Sequence, residues 1–255
     1  VDNFRFKTSV GMIWNISSDV EFGAKITNEF RKHVAPKTNP FRMSEVFFDN
    51  LYLKVDNFLS GTLTLGRQEI SMGEGFLIKD GNGGDGSRST YFNAVRFDWK
   101  MDKTNTLTLF GVYQPIEDKF LPVLNGKDVD ASSQAANGFR LVEQTEYGAS
   151  AYYSGDFGKT NLQGYFIWKK MDFDEKKIIP ESNINTFGGR IKTPFSDAVT
   201  LTAEASYQFG TIGDFNRAAY GGYAYVDIKT GSDKVFLPKT VTIGSLALSG
   251  DDPST

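Results

Sequence analysis

The sequence predicts an all-β protein: an antiparallel, up-and-down β-barrel that crosses a membrane with its strands. Three observations lead to this fold class. Apolar and polar residues alternate with a period of two, the alternating runs are about 11–14 residues long, and short and long connections take turns between them. Gly accounts for 26 of the 255 residues and aromatic residues for 14%, which suits many strands, tight turns and rings at a membrane boundary.

The first strand shows the alternation clearly. Phe4, Val10 and Trp14 share one parity, and Lys7 and Asn15 occupy the other. Ordinary strands are usually about 5–6 residues long, whereas about 9–11 tilted residues cross the hydrocarbon of a membrane. The long runs therefore favour membrane-spanning strands. Twelve strands are predicted, over residues 4–16, 20–31, 44–57, 60–71, 89–101, 105–115, 143–155, 160–171, 183–193, 198–210, 216–229 and 238–249.

The connections fall into two length classes that alternate along most of the chain. Barrels of the bacterial outer membrane have short periplasmic turns and longer extracellular loops. The pattern therefore predicts an outer-membrane location. Short connections are predicted at 17–19, 58–59, 102–104, 156–159 and 194–197, and long ones at 32–43, 72–88, 116–142 and 172–182.

Both chain ends are expected on the extracellular side, because the first strand runs into a short turn and the twelfth strand follows one. Bacterial single-chain barrels normally begin and end in the periplasm. We therefore expect residues 1–255 to be a single β-barrel domain that lacks strands at both ends, a fragment of a barrel with about 14 or more strands.

Aromatic residues are predicted to form two outward-facing girdles, since Trp and Tyr are enriched at both membrane–water interfaces. The alternative is a soluble sandwich whose core these rings fill, and the charges on the opposite face argue against it. The upper girdle is expected to contain Phe4, Phe6, Tyr113, Tyr147, Trp168, Tyr207 and Phe209, and the lower one Trp14, Trp99 and Tyr153.

The opposite face carries charged residues and is predicted to line a water-filled lumen. Basic side chains outnumber acidic ones there although the whole chain has a net charge of −3, and rings of Arg and Lys select anions. The planar guanidinium of Arg suits carboxylates. For any single residue, pairing with an opposite charge on the next strand is the alternative. The basic set is Arg5, Lys7, Lys25, Arg31, Lys54, Arg96, Lys100, Lys169, Arg190, Lys192, Arg217 and Lys229, and the acidic set is Glu21, Glu29, Asp56, Asp98, Glu146, Glu204 and Asp227.

The fourth predicted strand breaks the alternation. Leu63 and Leu65 are expected to face lipid, yet Arg67 and Glu69 have the same parity. A charge that faces lipid at the bilayer midplane costs about 2–4 kcal/mol. Either a bulge near Gly66 turns the two charged residues inward, or they lie above the hydrocarbon.

No enzyme activity and no cofactor are predicted. The chain has no Cys and one His, which argues against a cysteine nucleophile and zinc hydrolysis. His33 has Ser44 near it in sequence but no further converging group, so a loop histidine is favoured over a hydrolase site. Paired carboxylates for glycoside cleavage stay open, although solvated rim and lumen charges explain them better. The net charge gives no reason to expect nucleic acid.

The Gly-rich stretch at 81–86 satisfies the pattern G-x-G-x-x-G. A dinucleotide fingerprint must open a helix, and a strand is predicted here instead, so this function is rejected. Asp80, Asn82 and Asp85 form a weak candidate site for a hard cation such as calcium. The stretch lacks the closing Glu of an EF-hand, and a flexible loop is the favoured interpretation.

Several short motifs are spread over nearly the whole chain. The more specific are GRQE at 66–69 and DGSR at 85–88; the others are FDNLYLK at 48–54, GEGF at 73–76, YFNAVRF at 91–97, FGGR at 187–190, AEASYQFG at 203–210, AAYGGYAY at 218–225 and LSGDDP at 248–253. Together they resemble the alginate export family of outer-membrane porins.

The resemblance implies a monomeric barrel of about 18 strands whose arginine-rich lumen passes a negatively charged polysaccharide. Matching motif positions are Arg67, Glu69, Arg96, Arg190 and Glu204, where arginines would hold sugar carboxylates and acids would keep the arginines extended. Alginate itself is not strongly implied, because the family includes members without an assigned substrate.

The sequence thus favours a passive outer-membrane channel for anionic oligo- or polysaccharides. Lys7, Lys25 and Lys192 are predicted to line the same path as the motif residues. Expected partners are outer-membrane lipid, an anionic solute and, further, periplasmic export proteins. The runner-up is a non-transporting barrel that anchors or binds through its extracellular loops, and a soluble carbohydrate-binding sandwich is third.

Overall fold

The computed structural model describes residues 2–35, 45–79, 91–121, 123–125, 144–173, 179–231 and 238–250. None of these residues belongs to a helix long and apolar enough to cross a membrane. The strands are β1 (Asp2–Asn15), β2 (Val20–Ala35), β3 (Glu45–Phe58), β4 (Gly61–Gln68), β5 (Phe92–Lys100), β6 (Asn105–Gln114), β7 (Glu146–Phe157), β8 (Thr160–Met171), β9 (Ser182–Pro194), β10 (Val199–Ile212), β11 (Phe215–Lys229) and β12 (Thr240–Leu248).

The twelve strands are ordered in the sheet as they are in the chain, from β1 to β12. Consecutive strands run antiparallel, as shown by the pairing of Val10 with Ile26 between β1 and β2 and of Glu204 with Arg190 between β9 and β10. The predicted all-β, antiparallel, up-and-down fold is therefore confirmed.

The strand bounds agree with the prediction within a few residues, and two differences are informative. β2 continues to Ala35, so the long connection predicted at 32–43 begins later. β4 ends at Gln68 instead of residue 71, because the chain leaves the sheet and turns. In that turn the Met72 N–H donates to the Ile78 carbonyl at 3.0 Å.

The polarity of the two faces is inverted relative to a soluble protein. On one face of β1, Val10, Met12 and Trp14 are 74, 54 and 61% exposed. On the other face, the Ser9 and Thr27 hydroxyls are hydrogen-bonded at 2.8 Å, and Thr27 is fully buried. A sandwich buries its apolar face, so the exposed apolar band argues against that alternative.

Strands β9–β11 show the same inversion. Phe187 and Tyr220 are exposed on one face, whereas Thr202 and Glu204 are buried on the other. Residues that pair directly across neighbouring strands lie on the same face, and the partners of Phe187 and Glu204 follow this rule. The burial of polar residues is therefore a property of one whole face.

The aromatic residues predicted for the girdles lie mainly on the exposed face. Phe187 packs against Tyr207 with ring centroids 5.6 Å apart, and Tyr113 against Tyr147 at 5.3 Å. The structure leaves Phe4, Phe6, Trp14, Trp99, Tyr113, Tyr207 and Phe209 exposed, and Tyr147, Tyr153 and Trp168 half-buried. Their position at two membrane interfaces stays a prediction.

The chain divides into two compact units, which we describe separately. The first unit comprises Val1–Phe97, Phe110–Tyr147 and Met171–Ile179. The second unit comprises Asp98–Leu109, Gly148–Lys170 and Pro180–Thr255. The single, incomplete domain expected over residues 1–255 stays a prediction.

Candidate functional site

Arg67, near the end of β4, is a fully buried charge of the first unit. Its Nε donates to Oδ1 of Asn93 at 2.8 Å, and its Nη2 to Oδ2 of Asp118 at 2.6 Å. Its Nη1 donates to the Phe48 carbonyl at 2.9 Å. The guanidinium also lies over Tyr91, with Cζ 3.8 Å from the ring centroid, in a cation–π contact. In this arrangement Arg67 holds protein groups and has no surface left for a solute.

Gly66 explains how β4 accommodates the charge that follows it. Its φ is +115°, and a Cβ there would lie 2.4 Å from the Leu51 carbonyl oxygen, so a larger residue would be strained. Pairing with β3 continues through this point, from Leu53 with Leu65 to Leu51 with Arg67. The pairing of β4 with β3 therefore contains no extra residue at Gly66. The glycine changes the backbone direction locally without forming a bulge against β3. Arg67 avoids lipid because protein encloses it.

Lys25 on β2 is the centre of a second charged group in the first unit. Its Nζ donates to the Glu69 carboxylate and lies 3.0 Å from Oδ2 of Asp49. The same Asp49 oxygen accepts a hydrogen bond from the Thr27 hydroxyl at 3.0 Å. The structure thus brings two predicted lumen residues, Lys25 and Glu69, together on the face of Thr27, where their charges offset one another.

Tyr52 on β3 holds another acid of the first unit. A Cβ at Gly23 on β2 would lie 2.3 Å from Cζ of Tyr52, so the ring occupies the space that this glycine leaves. The Tyr52 hydroxyl then donates to Oε1 of Glu21 at 2.9 Å. The position of Glu21 is therefore set by a neutral donor rather than by a cation.

The charged face of the second unit is built around Glu204 on β10. Its Oε1 accepts a hydrogen bond from the Tyr165 hydroxyl at 2.9 Å, and its Oε2 accepts one from the Tyr223 hydroxyl at 2.8 Å. Arg190 pairs with Glu204 across β9 and β10, which places both side chains on the same face. Both residues are buried. The structure therefore brings Arg190 and Glu204 together, two of the predicted lumen positions.

Tyr165 reaches Glu204 by crossing Gly188 on β9. A Cβ at Gly188 would lie 2.6 Å from the Tyr165 hydroxyl oxygen and 2.5 Å from the Ala205 carbonyl oxygen. Tyr152 stacks on Tyr165 with a centroid separation of 5.4 Å and an interplanar angle of 5°. The stacked rings and the space left by Gly188 thus hold the Tyr165 hydroxyl at the Glu204 carboxylate, and this contact involves no cation.

Three further residues were predicted to line the same path. Lys7 and Lys192 are exposed, and Arg96 is half-buried. Lys192 pairs with Thr202, two residues along from the pair of Arg190 and Glu204, and so lies on their face. Whether these side chains line a path for a solute stays a prediction.

The weak cation site predicted from Asp80, Asn82 and Asp85 lies outside the described residues. Within the part of the chain that the structure describes, no three or more His, Asp or Glu side chains are grouped so that they could hold a metal ion. The backbone of His33 pairs with Asn3 between β1 and β2, so this histidine belongs to a strand rather than to a loop.

Sequence reasoning missed Asp118, Asn93, Tyr165 and Tyr223. Asp118 lies in a long connection, where no periodicity indicates which strand it contacts. Parity could have identified the tyrosines. Tyr165 is next to exposed Phe166 on β8 and therefore points to the opposite, charged face. A tyrosine on that face is a candidate to hydrogen-bond a charged group there.

An up-and-down antiparallel sheet with an exposed apolar face and a buried charged face defines a β-barrel protein of the outer-membrane type. The profile described as alginate export matches residues 9–231, and the chain belongs to this family. The predicted resemblance is confirmed, and so are the bacterial outer-membrane location and a channel role without enzyme activity.

Two solved structures of OmpT, an outer-membrane protein of Vibrio cholerae folded in vitro, are similar in part. The trimer form has a TM-score of 0.41, and the other structure a TM-score of 0.39, each at 8% identity. Both alignments cover 90% of this chain, and they cover 83% and 82% of the respective OmpT chains. The comparison with curated proteins gave no match.

Proposed function

We propose that this outer-membrane channel passes anionic, alginate-like oligo- or polysaccharides and attracts them with cations on its charged face. The observation that carries the proposal is a row of basic side chains on the second unit, where Arg190 and Lys192 share the face of Glu204. Rings of Arg and Lys favour anions in a pore. The membership of the alginate export family supports the same solute class.

The division of roles on this face follows from the contacts of Glu204. Both of its carboxylate oxygens accept tyrosine hydroxyls, from Tyr165 and Tyr223, so the acid is fixed to the wall. Buried Arg190 beside it adds positive charge to the same wall, and exposed Lys192 presents its ammonium to solvent. A passing carboxylate is then attracted without being bound as tightly as in a closed site.

An aromatic pair next to these cations suits a sugar better than a small ion. Tyr223 and Tyr225 on β11 are half-buried and stacked, with ring centroids 6.0 Å apart and planes at 13°. Thr202 pairs with both Lys192 and Tyr225, so one row across β9–β11 carries a cation and an aromatic ring. A sugar acid can place its carboxylate near the ammonium and an apolar ring face on the tyrosine.

The first unit contributes less to attraction in this proposal. Arg67 is enclosed by protein and Lys25 is paired with Asp49 and Glu69, so neither presents a free cation. Lys7 and Arg96 are the predicted cations of this unit with more exposed side chains. The first unit therefore mainly shapes the path.

The experiment that tests the proposal is the reversal potential of the protein in planar bilayers under a KCl gradient. We expect anion selectivity that weakens as salt rises, and a shift toward cations for Lys192→Gln and for the double variant Arg96→Gln/Arg190→Gln. Lys159→Gln removes the same charge at the exposed turn between β7 and β8 and is the matched control.

Block of the current by uronic-acid oligosaccharides, compared with neutral oligosaccharides of equal length, tests the solute class. Unchanged selectivity in the double variant would contradict the cationic path. A protein that never conducts would instead favour the runner-up, a non-transporting barrel. A monomeric state and periplasmic export partners stay predictions.

A further inference from the structure

Residues 115–121 and 123–125, here named the β6–β7 segment, fold back onto the charged face of the first unit. Asp118 anchors them and is itself buried. Its Oδ2 accepts hydrogen bonds from Nη2 of Arg67 at 2.6 Å and from Nδ2 of Asn93 at 3.0 Å. Its Oδ1 accepts the backbone N–H groups of Phe120 at 3.1 Å and Leu121 at 2.9 Å. One carboxylate thus shapes the segment and ties it to β4 and β5.

A second attachment lies a few residues further along the segment. Val123 is buried in an apolar cluster with Phe47 on β3 and Tyr91. The Leu124 N–H donates to the Val46 carbonyl at 2.7 Å, and the Val46 N–H donates to Oδ1 of Asn125 at 2.7 Å. The segment is therefore held at two points that differ in chemistry, one ionic and one apolar.

The register shows on which face the segment lies. Phe47, which contacts Val123, pairs with Thr27, and Thr27 pairs with Ser9. Exposed Ile26 and Val10 form the neighbouring pair, whose side chains point to the opposite, apolar face. The segment consequently covers the face that the proposed function assigns to the water-filled path.

We propose that the β6–β7 segment narrows the channel and sets the largest solute that passes, and that Arg67 is the residue that positions it through Asp118. The inference rests on the proposed channel function. It assigns the buried arginine a role that solute binding does not explain, because all three of its guanidinium nitrogens already donate to protein acceptors. The segment itself presents the exposed side chains of Lys119 and Phe120.

Three variants of the full chain distinguish the effect of releasing the segment from the effect of changing a nearby charge. Asp118→Asn leaves the shape of the side chain but removes the charge that faces Arg67. Val123→Asp places a charge in the apolar cluster and leaves the ion pair intact, so it releases the segment by an independent route. Lys119→Gln is the matched control, since it changes one exposed charge next to Asp118 without touching either attachment.

Single-channel conductance and swelling of liposomes in neutral sugars of increasing size are measured for each protein, and trypsin cleavage after Lys119 for the proteins that keep this lysine. We expect cleavage to appear in Asp118→Asn and Val123→Asp, together with conductance that rises by roughly a factor of two and entry of larger sugars. Lys119→Gln should keep the conductance and size limit of the unchanged protein.

The outcomes distinguish this inference from the proposed function. If the segment becomes cleavable while conductance and size limit stay constant, the segment does not narrow the path and the inference fails. If neither release variant changes cleavage or conductance, the proposed anchor is wrong. If the release variants change anion selectivity but not the size limit, the inference fails and the proposed function is retained. If none of the four proteins conducts, both the inference and the proposed function are contradicted.

Discussion

Each of the two units contains a buried charge, and the two charges are held in different ways. In the first unit, Arg67 is enclosed by an acid from a connection, an amide, backbone carbonyls and an aromatic ring. In the second unit, Glu204 is held by hydroxyls of neighbouring strands, with Arg190 beside it. A charge tied to a connection positions that connection, whereas a charge tied only to strands remains part of the wall.

The comparison predicts its largest effect at Asp118. Removing one partner of a buried ion pair leaves the other charge uncompensated, which typically costs about 3–5 kcal/mol. We expect Asp118→Ala to lower the free energy of unfolding by about this amount, measured by denaturant unfolding of the folded protein in detergent micelles. Lys119→Ala, at an exposed neighbouring position, should change it little. If both variants lose the same free energy of unfolding, Asp118 and Arg67 do not form a stabilising buried ion pair.

Glu204→Gln should have a smaller effect, because the charge it removes is held mainly by neutral donors. Hydrogen bonds to a charged group contribute about 1.5–3 kcal/mol, and the amide keeps one acceptor for Tyr165 or Tyr223. The same unfolding experiment measures the loss, with Glu181→Gln as a control at an exposed carboxylate. A loss larger than that of Asp118→Ala would reverse the comparison between the two units.

Gly66→Ala tests whether the backbone, rather than the ion pair alone, brings Arg67 to its place. The positive φ and the 2.4 Å approach of a Cβ to the Leu51 carbonyl oxygen predict a cost of about 1–3 kcal/mol. Gly164→Ala is the matched control, because a Cβ at Gly164 on β8 meets nothing within 4 Å. Similar stability of the two alanine variants would show that the local backbone relaxes freely.

The smallest effect is expected at the turn between β5 and β6, which lies outside the strands of both charged groups. The Thr104 backbone N–H donates to Oδ1 of Asp102 at 2.8 Å, and the Asn105 side-chain amide donates to Oδ2 at 2.7 Å. These hydrogen bonds lower the pKa of the Asp102 carboxyl from its ordinary value of 3.8. Its contribution to stability is therefore present above the pKa of the unfolded chain and is lost as pH falls through the lower, folded pKa.

The corresponding measurement is the unfolding midpoint of the protein and of Asp102→Asn as a function of pH. The protein should be the more stable of the two at neutral pH, and the difference should shrink as the carboxyl becomes protonated. A difference that stays constant through this range would assign the role of Asp102 to shape rather than to charge.

Local order in the sequence was enough to predict the strands and their two faces. β8 runs from Thr160 to Met171, as the alternation predicts, and the exposed rings of Tyr113 and Tyr207 follow from their parity. These features depend on neighbours along the chain, because successive side chains of a strand point to opposite faces. The alternation also placed Arg190 and Glu204 on the charged face, and the family motifs singled them out; the structure pairs them across β9 and β10.

Only the tertiary structure decided which partners the buried charges have. Asp118 meets Arg67 across 51 residues of chain and Tyr165 meets Glu204 across 39 residues, distances over which alternation carries no information. The path of a connection is set by where its ionic and apolar attachments find complementary groups, as Val123 does beside Phe47. Those choices depend on three-dimensional packing, whereas the faces of the strands depend on the period of two in the sequence.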